Sequence, residues 1–355
     1  MEEADYEPGF EPDEAPEVVR PAGCSNPFRT KSGLYVRCQS RLRSKCESCA
    51  ELYRGDWAAI ARSGVFDGPV ERYSFYLLTL TAPSFGRVHR VPKASAPAAC
   101  GCGGRHTAAD ADLRGVPLDP STYDYAGLVA WNRDSGLLWD RTRRRLRDRW
   151  ESVEFFVVRE WQERGALHLH AIVRIDRLGA PDARVLADAA RTATAFSRVD
   201  GGLVEWGSQV RCDAFRADGD GAKTIWYLSK ALNYVLKDTA GDADGKRARS
   251  WEHVARLADA ARMMRCSPGC EPNACRSRTH ERFGARGHVV SASRRTKTRT
   301  GWSFTGLTRR VQRMLRTEWV TKRAEAATSA QPEAALEHPS RRARRELMAT
   351  PSNAP

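Results

Sequence analysis

Apolar and polar positions alternate with a period that changes several times along the chain, and the order of these changes predicts a fold. Tyr73 to Thr81 (YSFYLLTLT) is rich in β-branched and aromatic residues and stops at Ala82-Pro83-Ser84, which predicts a strand. Leu128, Trp131, Leu138, Thr142 and Leu146 recur at roughly helical spacing, so Leu128 to Arg149 should form a helix, with six arginines between Arg141 and Arg149. Val153 to Glu160 and Leu167 to Ile175 are apolar runs joined by a short polar segment containing Arg164-Gly165, a hairpin signal. Ala183 to Phe196 reads as an alanine-rich helix, Gln209 to Phe215 as a strand and Ala222 to Asp238 as a strong helix. The order β-α-β-β-α-β followed by a helix is the split β-α-β arrangement, an α+β fold with an antiparallel sheet and helices on one face.

This domain should span residues 70–240, with an insertion at 84–122. Residues 1–22 combine acid and proline with little apolar content, the composition of a disordered tail. Residues 23–60 and 262–323 carry clustered cysteines, and 324–355 read as a frayed helix and flexible basic tail. There is no internal repeat.

Charge narrows the function. The chain has 355 residues and a formal charge of +14. Eight acids and no Lys or Arg fall between Met1 and Val19, so the remainder is more basic than the whole. Such a field attracts polyanions by counterion release, and DNA is the expected partner. No apolar run is long enough to span a membrane and the acidic N-terminus does not look like a signal peptide, so a cytoplasmic location and no membrane partner are expected. In a reducing compartment, ten cysteines at close spacing suggest metal ligands rather than disulfides.

The cysteines form two four-ligand sets. Cys24, Cys38, Cys46 and Cys49 are spaced C-x13-C-x7-C-x2-C, and Cys266, Cys270, Cys275 and His280 are spaced C-x3-C-x4-C-x4-H; both suit structural Zn²⁺ beside DNA. Cys100, Cys102 and His106 supply three ligands in a Gly-rich loop, a partial or shared site. Residues 286–316 mix Arg and Lys with Ser and Thr, which suits phosphate contacts, with Trp302 and Phe304 available for packing or base stacking.

Two further segments carry chemistry. In a strand, His168 and His170 present neighbouring imidazoles on one face and can bind one metal ion. A two- or four-residue hairpin loop would add Glu163 to that face, and a three-residue loop Glu160 and Gln162. Glu160 is preferred as the third ligand and Glu163 comes next. On the last helix, Ile225, Leu228, Leu232, Val235 and Leu236 form an apolar stripe, while Tyr227 and Tyr234 share another face. Lys230 and Lys237 each follow a tyrosine by three residues, where an ammonium can favour the phenolate and hold a phosphate oxygen.

The run Leu77 to Thr81 with Ala82-Pro83-Ser84, then Arg164-Gly165-Ala-Leu-His168-Leu-His170, then Tyr-x-x-Lys resembles the three ordered motifs of His-hydrophobe-His (HUH) endonucleases. Among these the chain is most similar to the rolling-circle replication initiators of actinobacterial plasmids and integrative conjugative elements, from about Cys24 to Arg316. Family members often have YxxKYxxK, with the tyrosines four apart; here they are seven apart. The resemblance implies that His168, His170 and an acid hold Mg²⁺ or Mn²⁺ against the scissile phosphate. A tyrosine, Tyr227 by a narrow preference over Tyr234, then attacks to give a 5′-phosphotyrosyl link and a 3′-OH primer. No Walker-type loop is present, so a host helicase and DNA polymerase are implied partners. The alternatives are a non-enzymatic zinc-containing DNA-binding regulator, a metal-dependent nuclease using water, and an HUH transposase or relaxase.

Overall fold

The computed structural model describes residues 21–315 except 22, 32–34, 94–95, 219–220, 226–247 and 287–288, together with residue 322. The chain divides into two compact units, Met1–Gly306 and Leu307–Pro355. In the second, residues 309–315 are helical. The first contains, in chain order, β1 (Phe28–Arg29), β2 (Tyr35–Val36), α1 (Glu47–Phe66), β3 (Tyr73–Thr81), β4 (Ala98–Ala99), β5 (Arg105–His106), α2 (Tyr125–Arg149), β6 (Glu154–Trp161) and β7 (Leu167–Asp176). There follow α3 (Ala183–Arg191), β8 (Thr194–Phe196), β9 (Leu203–Glu205), β10 (Val210–Phe215), α4 (Ala248–Met263) and β11 (Val290–Ala292).

Five strands make one antiparallel sheet in the order β10-β3-β7-β6-β11. The split arrangement is visible in the centre, where β7 lies between β3 and β6, the two strands that α2 connects. The fifth strand comes from residues 290–292, within the segment expected to form a separate Cys/Arg-rich region.

Alternation decides which side chains face which layer. Leu78, Leu80, Val157, Leu169, Ala171 and Val173 point to one face and form a core with Leu128, Leu138 and Leu146 of α2 and Leu186 of α3. Each such side chain, fully buried, contributes about 1.5–3 kcal/mol. The apolar stripe of α2 is therefore its buried side. The helix starts three residues before the apolar pattern because the Asp124 carboxylate caps it, accepting a hydrogen bond from the Gly127 N–H at 2.7 Å.

The helices do not all lie on one face, as the sequence led us to expect. Phe156, Ile172 and Arg174 point away from that core and are buried by α1 and Trp302. Trp57 of α1 meets Phe156 edge-on with ring centroids 5.9 Å apart, and the Trp302 indole donates to the Ile60 carbonyl. Gly64 permits this contact, since a Cβ there would fall 2.1 Å from the Trp302 ring. An apolar half of the second sheet face has to be covered, and α1 covers it. The expected helix 183–196 also ends early, at Arg191; Thr194–Phe196 then pairs with β9, so the alanine-rich pattern spans a helix and a strand.

Candidate active site

The part of the second face beyond α1 carries the histidines. In β7, His168 pairs with Glu160 of β6 and with Thr81 of β3, and His170 with Thr79. Residues directly opposite in a ladder share a face, so Glu160, His168, His170, Thr79 and Thr81 converge. Ligand atoms of Glu160, His168 and His170 all lie within 4.8 Å of one another. The β6–β7 connection has a three-residue loop, Glu163-Arg164-Gly165, closed by the Gln162 N–H donating to the Ala166 carbonyl. That parity puts Glu160 and Gln162 on the histidine face. Glu163 sits in the turn beneath Gly115 and is not part of the group.

The two imidazoles are each held by a neighbouring side chain. The Thr79 hydroxyl lies 3.0 Å from His170 Nδ1, leaving Nε2 directed to Glu160 Oε1 at 3.1 Å. The Gln162 amide lies 3.2 Å from His168 Nδ1, and Arg164 Nε donates to Gln162 Oε1. Burial, helped by the neighbouring His170, brings the His168 imidazole down to about 4, so it is neutral at physiological pH. Adjacent ligands on an octahedral ion with bonds near 2.1 Å lie about 3 Å apart, close to the His170–Glu160 separation, so a divalent ion fits the two imidazoles and the carboxylate.

The hairpin turn that presents this site is locked on several sides. Arg164 donates to the carbonyls of Ala82 and Pro83, which ties the turn to the end of β3. Asn132 of α2 donates to the Gly165 and Phe283 carbonyls and accepts from the Leu167 N–H. Gly165 has a φ of +81°, and a Cβ there would strike Leu257 of α4 at 2.4 Å. A cleft of about 280 Å³ beside the histidines is lined by Thr81, Pro83, Ser84, Gln162, Arg164 and Ser208.

Residues 221–225 are helical, and Ile225 is buried. Tyr227, Lys230, Tyr234 and Lys237 lie outside the described residues.

Among the described residues, three further groups bring potential metal ligands within 4.8 Å of one another. Cys24, Cys38, Cys46 and Cys49 form the first, at the start of α1, and Cys266, Cys270, Cys275 and His280 another, just after α4. The Cys24–Cys49 sulfurs are 3.8 Å apart, Cys266–Cys275 3.7 Å, and Cys270 Sγ lies 3.5 Å from His280 Nε2. A tetrahedral zinc with Zn–S near 2.3 Å and Zn–N near 2.05 Å requires edges of about 3.8 Å for S–S and about 3.6 Å for S–N. A disulfide would need about 2.05 Å. His280 Nδ1 meets the Ala261 carbonyl at 2.9 Å, which orients Nε2 toward the sulfurs. The third group joins His89 to Cys100, Cys102 and His106.

Trp302 is fully buried, so it serves packing rather than base stacking, and Phe304 lies 3.8 Å over the Arg174 guanidinium. Sequence reasoning missed Thr79, whose signal was its odd-numbered phase in β3, and His89, which has no fixed spacing from the cysteines. No helix among the described residues is long and apolar enough to cross a membrane.

The fold and site together define a mixed α+β protein with a His-His-Glu cluster at the ends of central antiparallel strands and cysteine groups able to bind metal. The chain matches the family described as replication initiator protein, pSAM2, over residues 24–349, and it belongs to that family. It is 33% identical to a replication initiator protein of Streptomyces ambofaciens over an alignment of 320 residues, covering 76% of this chain and 68% of the relative. No solved structure matches the chain significantly.

Proposed function

We propose that this replication initiator nicks one DNA strand at its origin by an HUH-type mechanism, with a tyrosine as nucleophile and a divalent ion held by His168, His170 and Glu160. The observation that carries this reading is the convergence of those three side chains on one sheet face in a member of an initiator family. A bound Mg²⁺ or Mn²⁺ would supply Lewis-acid polarisation of the scissile phosphate. Thr79 and Gln162 hold the two imidazoles in place, and the cleft lined by Pro83, Ser84 and Ser208 receives the sugar-phosphate backbone next to them. Tyr227 or Tyr234 attacks phosphorus, displacing the 3′ oxygen, and Lys230 or Lys237 favours the phenolate. The products are a 5′-phosphotyrosyl link and a 3′-OH from which rolling-circle synthesis starts. Two tyrosines suit two cleavages, one at initiation and one to release the displaced strand. Zn²⁺ in the Cys24–Cys49 and Cys266–His280 groups fastens the flanking segments, whose arginines contact DNA. Unwinding and synthesis fall to a host helicase and polymerase.

The test is incubation of the full chain with end-labelled single-stranded origin DNA and Mn²⁺, followed by a denaturing gel, repeated with Tyr227→Phe and Tyr234→Phe. DNA covalently attached to protein, lost in one or both variants, is expected. Metal-dependent cleavage without an adduct would mean a water nucleophile. No cleavage of DNA that the protein binds would mean a zinc-containing regulator.

A further inference from the structure

The segment between β3 and α2 has little to hold it together. Its strands β4 and β5 are two residues each, and among the described residues between 84 and 118 the buried apolar side chains are Val91, Leu113 and Pro117. So small a core rarely supports an ordered fold without a staple. We propose that His89, Cys100, Cys102 and His106 form a third structural zinc site, which fastens this segment to the turn of the β6–β7 hairpin.

Backbone geometry brings the four ligands together. Cys100 and Cys102 lie in a knuckle in which the Gly103 N–H donates to the Cys100 carbonyl and the Cys100 N–H to the Gly104 carbonyl. Gly103 has a φ of +88°, the left-handed region that glycine permits. The β4–β5 pairing then returns the chain to His106, opposite Ala98. His89 arrives from the other side, its N–H bonded to the Val116 carbonyl at 2.8 Å.

The distances match a tetrahedral ion. His89 Nδ1 and His106 Nε2 are 3.2 Å apart, Cys102 Sγ is 3.3 Å from His106 Nε2, and Cys100 Sγ is 3.7 Å from His89 Nδ1. Tetrahedral zinc requires about 3.3 Å between two nitrogens and about 3.6 Å between sulfur and nitrogen. Two thiols and two imidazoles are a donor set suited to zinc and poorly suited to Mg²⁺ or Ca²⁺. The outer contacts are those of a ligated centre. Asp110 Oδ2 lies 3.7 Å from His106 Nδ1, and Asp110 is itself fixed by a reciprocal capping box with Thr107. The Arg90 N–H points at Cys100 Sγ from 3.3 Å. A carboxylate behind a ligating imidazole fixes its ring orientation and strengthens it as a donor.

The fastening reaches the hairpin through Arg114 and Gly115. Arg114 donates to the carbonyls of Val91 and Pro92, just beyond His89. Gly115, with a φ of +79°, lies so close to the turn that a Cβ there would sit 2.6 Å from the Arg164 nitrogen. The assignment does not depend on the nicking mechanism.

Zinc content is measured on the full chain carrying His168→Ala and His170→Ala, so that the imidazole pair adds no ion, and again after adding Cys100→Ala and Cys102→Ala. A loss of one zinc per chain is expected; an unchanged content overturns the proposal. A second measurement uses the unaltered protein. Cys102 is exposed, and a free thiol there would react at once with iodoacetamide. As a zinc ligand it should stay unmodified, by peptide mass spectrometry, until a chelator is added. Immediate labelling of Cys102 in the zinc-loaded protein overturns the assignment.

Discussion

One face of strand β7 carries His168 and His170 toward one end and Arg174 toward the other, and the two ends of that face are built in opposite ways. At the Arg174 end, α1, Trp302 and Phe304 close over the sheet. The guanidinium is fully buried and donates to the Gly64 carbonyl at 2.7 Å and the Gly301 carbonyl at 2.5 Å, with Phe304 3.8 Å away. Burial brings it down to about 10, so it stays cationic at neutral pH. Its donors go to the backbone of α1 and of the loop carrying Trp302, which makes it a fastener between the two. At the other end, the side chains of Glu160, His168 and His170 converge on one another, and Thr79 and Gln162 orient them from the side. A polar group that faces backbone carbonyls stabilises the fold; several whose lone pairs share one point are arranged for a cation. The comparison separates structure from chemistry more sharply than burial does, since His170 is nearly as buried as Arg174.

Substitutions at the two ends should therefore have different readouts. His168→Ala or His170→Ala should reduce origin nicking by about 10²–10³-fold or more, because a Lewis acid contributes several kcal/mol to the transition state. DNA binding, measured by mobility shift at fixed salt, should be nearly unchanged, because the basic surface responsible lies elsewhere. Lost binding with retained nicking would remove the distinction between the two ends. Arg174→Met should do the reverse. It leaves two buried carbonyls without donors and is expected to destabilise the protein by about 2–4 kcal/mol in urea unfolding. The folded fraction should nick at the rate of the parent. A stable Arg174→Met protein with impaired nicking would make the closed end part of the catalytic apparatus.

The same contrast explains what the sequence revealed. Tyr73–Thr81 is a strand with the bounds its alternation predicts, and the β6–β7 hairpin lies within a residue or two of its expected place, because both depend on local period and on Gly165. The spacing of two histidines placed them on one face. Glu160 remained one of two options because its face depends on loop parity, which residue composition does not determine. Helix α1 was not expected, although Tyr53, Ile60 and Gly64 recur on its buried side; its cysteines drew attention to metal binding instead. Strand β11 has three residues, too few to show a period. His89 joins Cys100, Cys102 and His106 only through the Val116 contact and the β4–β5 return, neither of which leaves a spacing signature. The closed end of β7 was unreadable for a related reason: Arg174, Gly64 and Trp302 are far apart in sequence and meet only when α1 crosses the sheet.

The smallest expected effect concerns how the histidine end is held. His253 of α4 is buried between Tyr123 and Tyr125, and its Nε2 lies 3.2 Å from the Arg164 carbonyl in the hairpin turn. Burial lowers its pKa below the ordinary 6.5, only partly offset by that carbonyl. The unfolded chain therefore takes up the proton first as pH falls. The stabilising contribution of neutral His253 is complete above about pH 6.5 and declines as the solution is acidified toward the lower folded-state value. Urea unfolding at pH 7.5 and pH 5.5 should show a loss of stability that His253→Gln reduces, since an amide can donate to the same carbonyl without titrating. Because α4 also packs Leu257 on Gly165, loosening it should increase hydrogen exchange at the turn amides before it affects the strands around Arg174. Equal loosening at both ends of β7 would show that the hairpin turn and the closed end unfold together, and that the division drawn along this face is chemical but not mechanical.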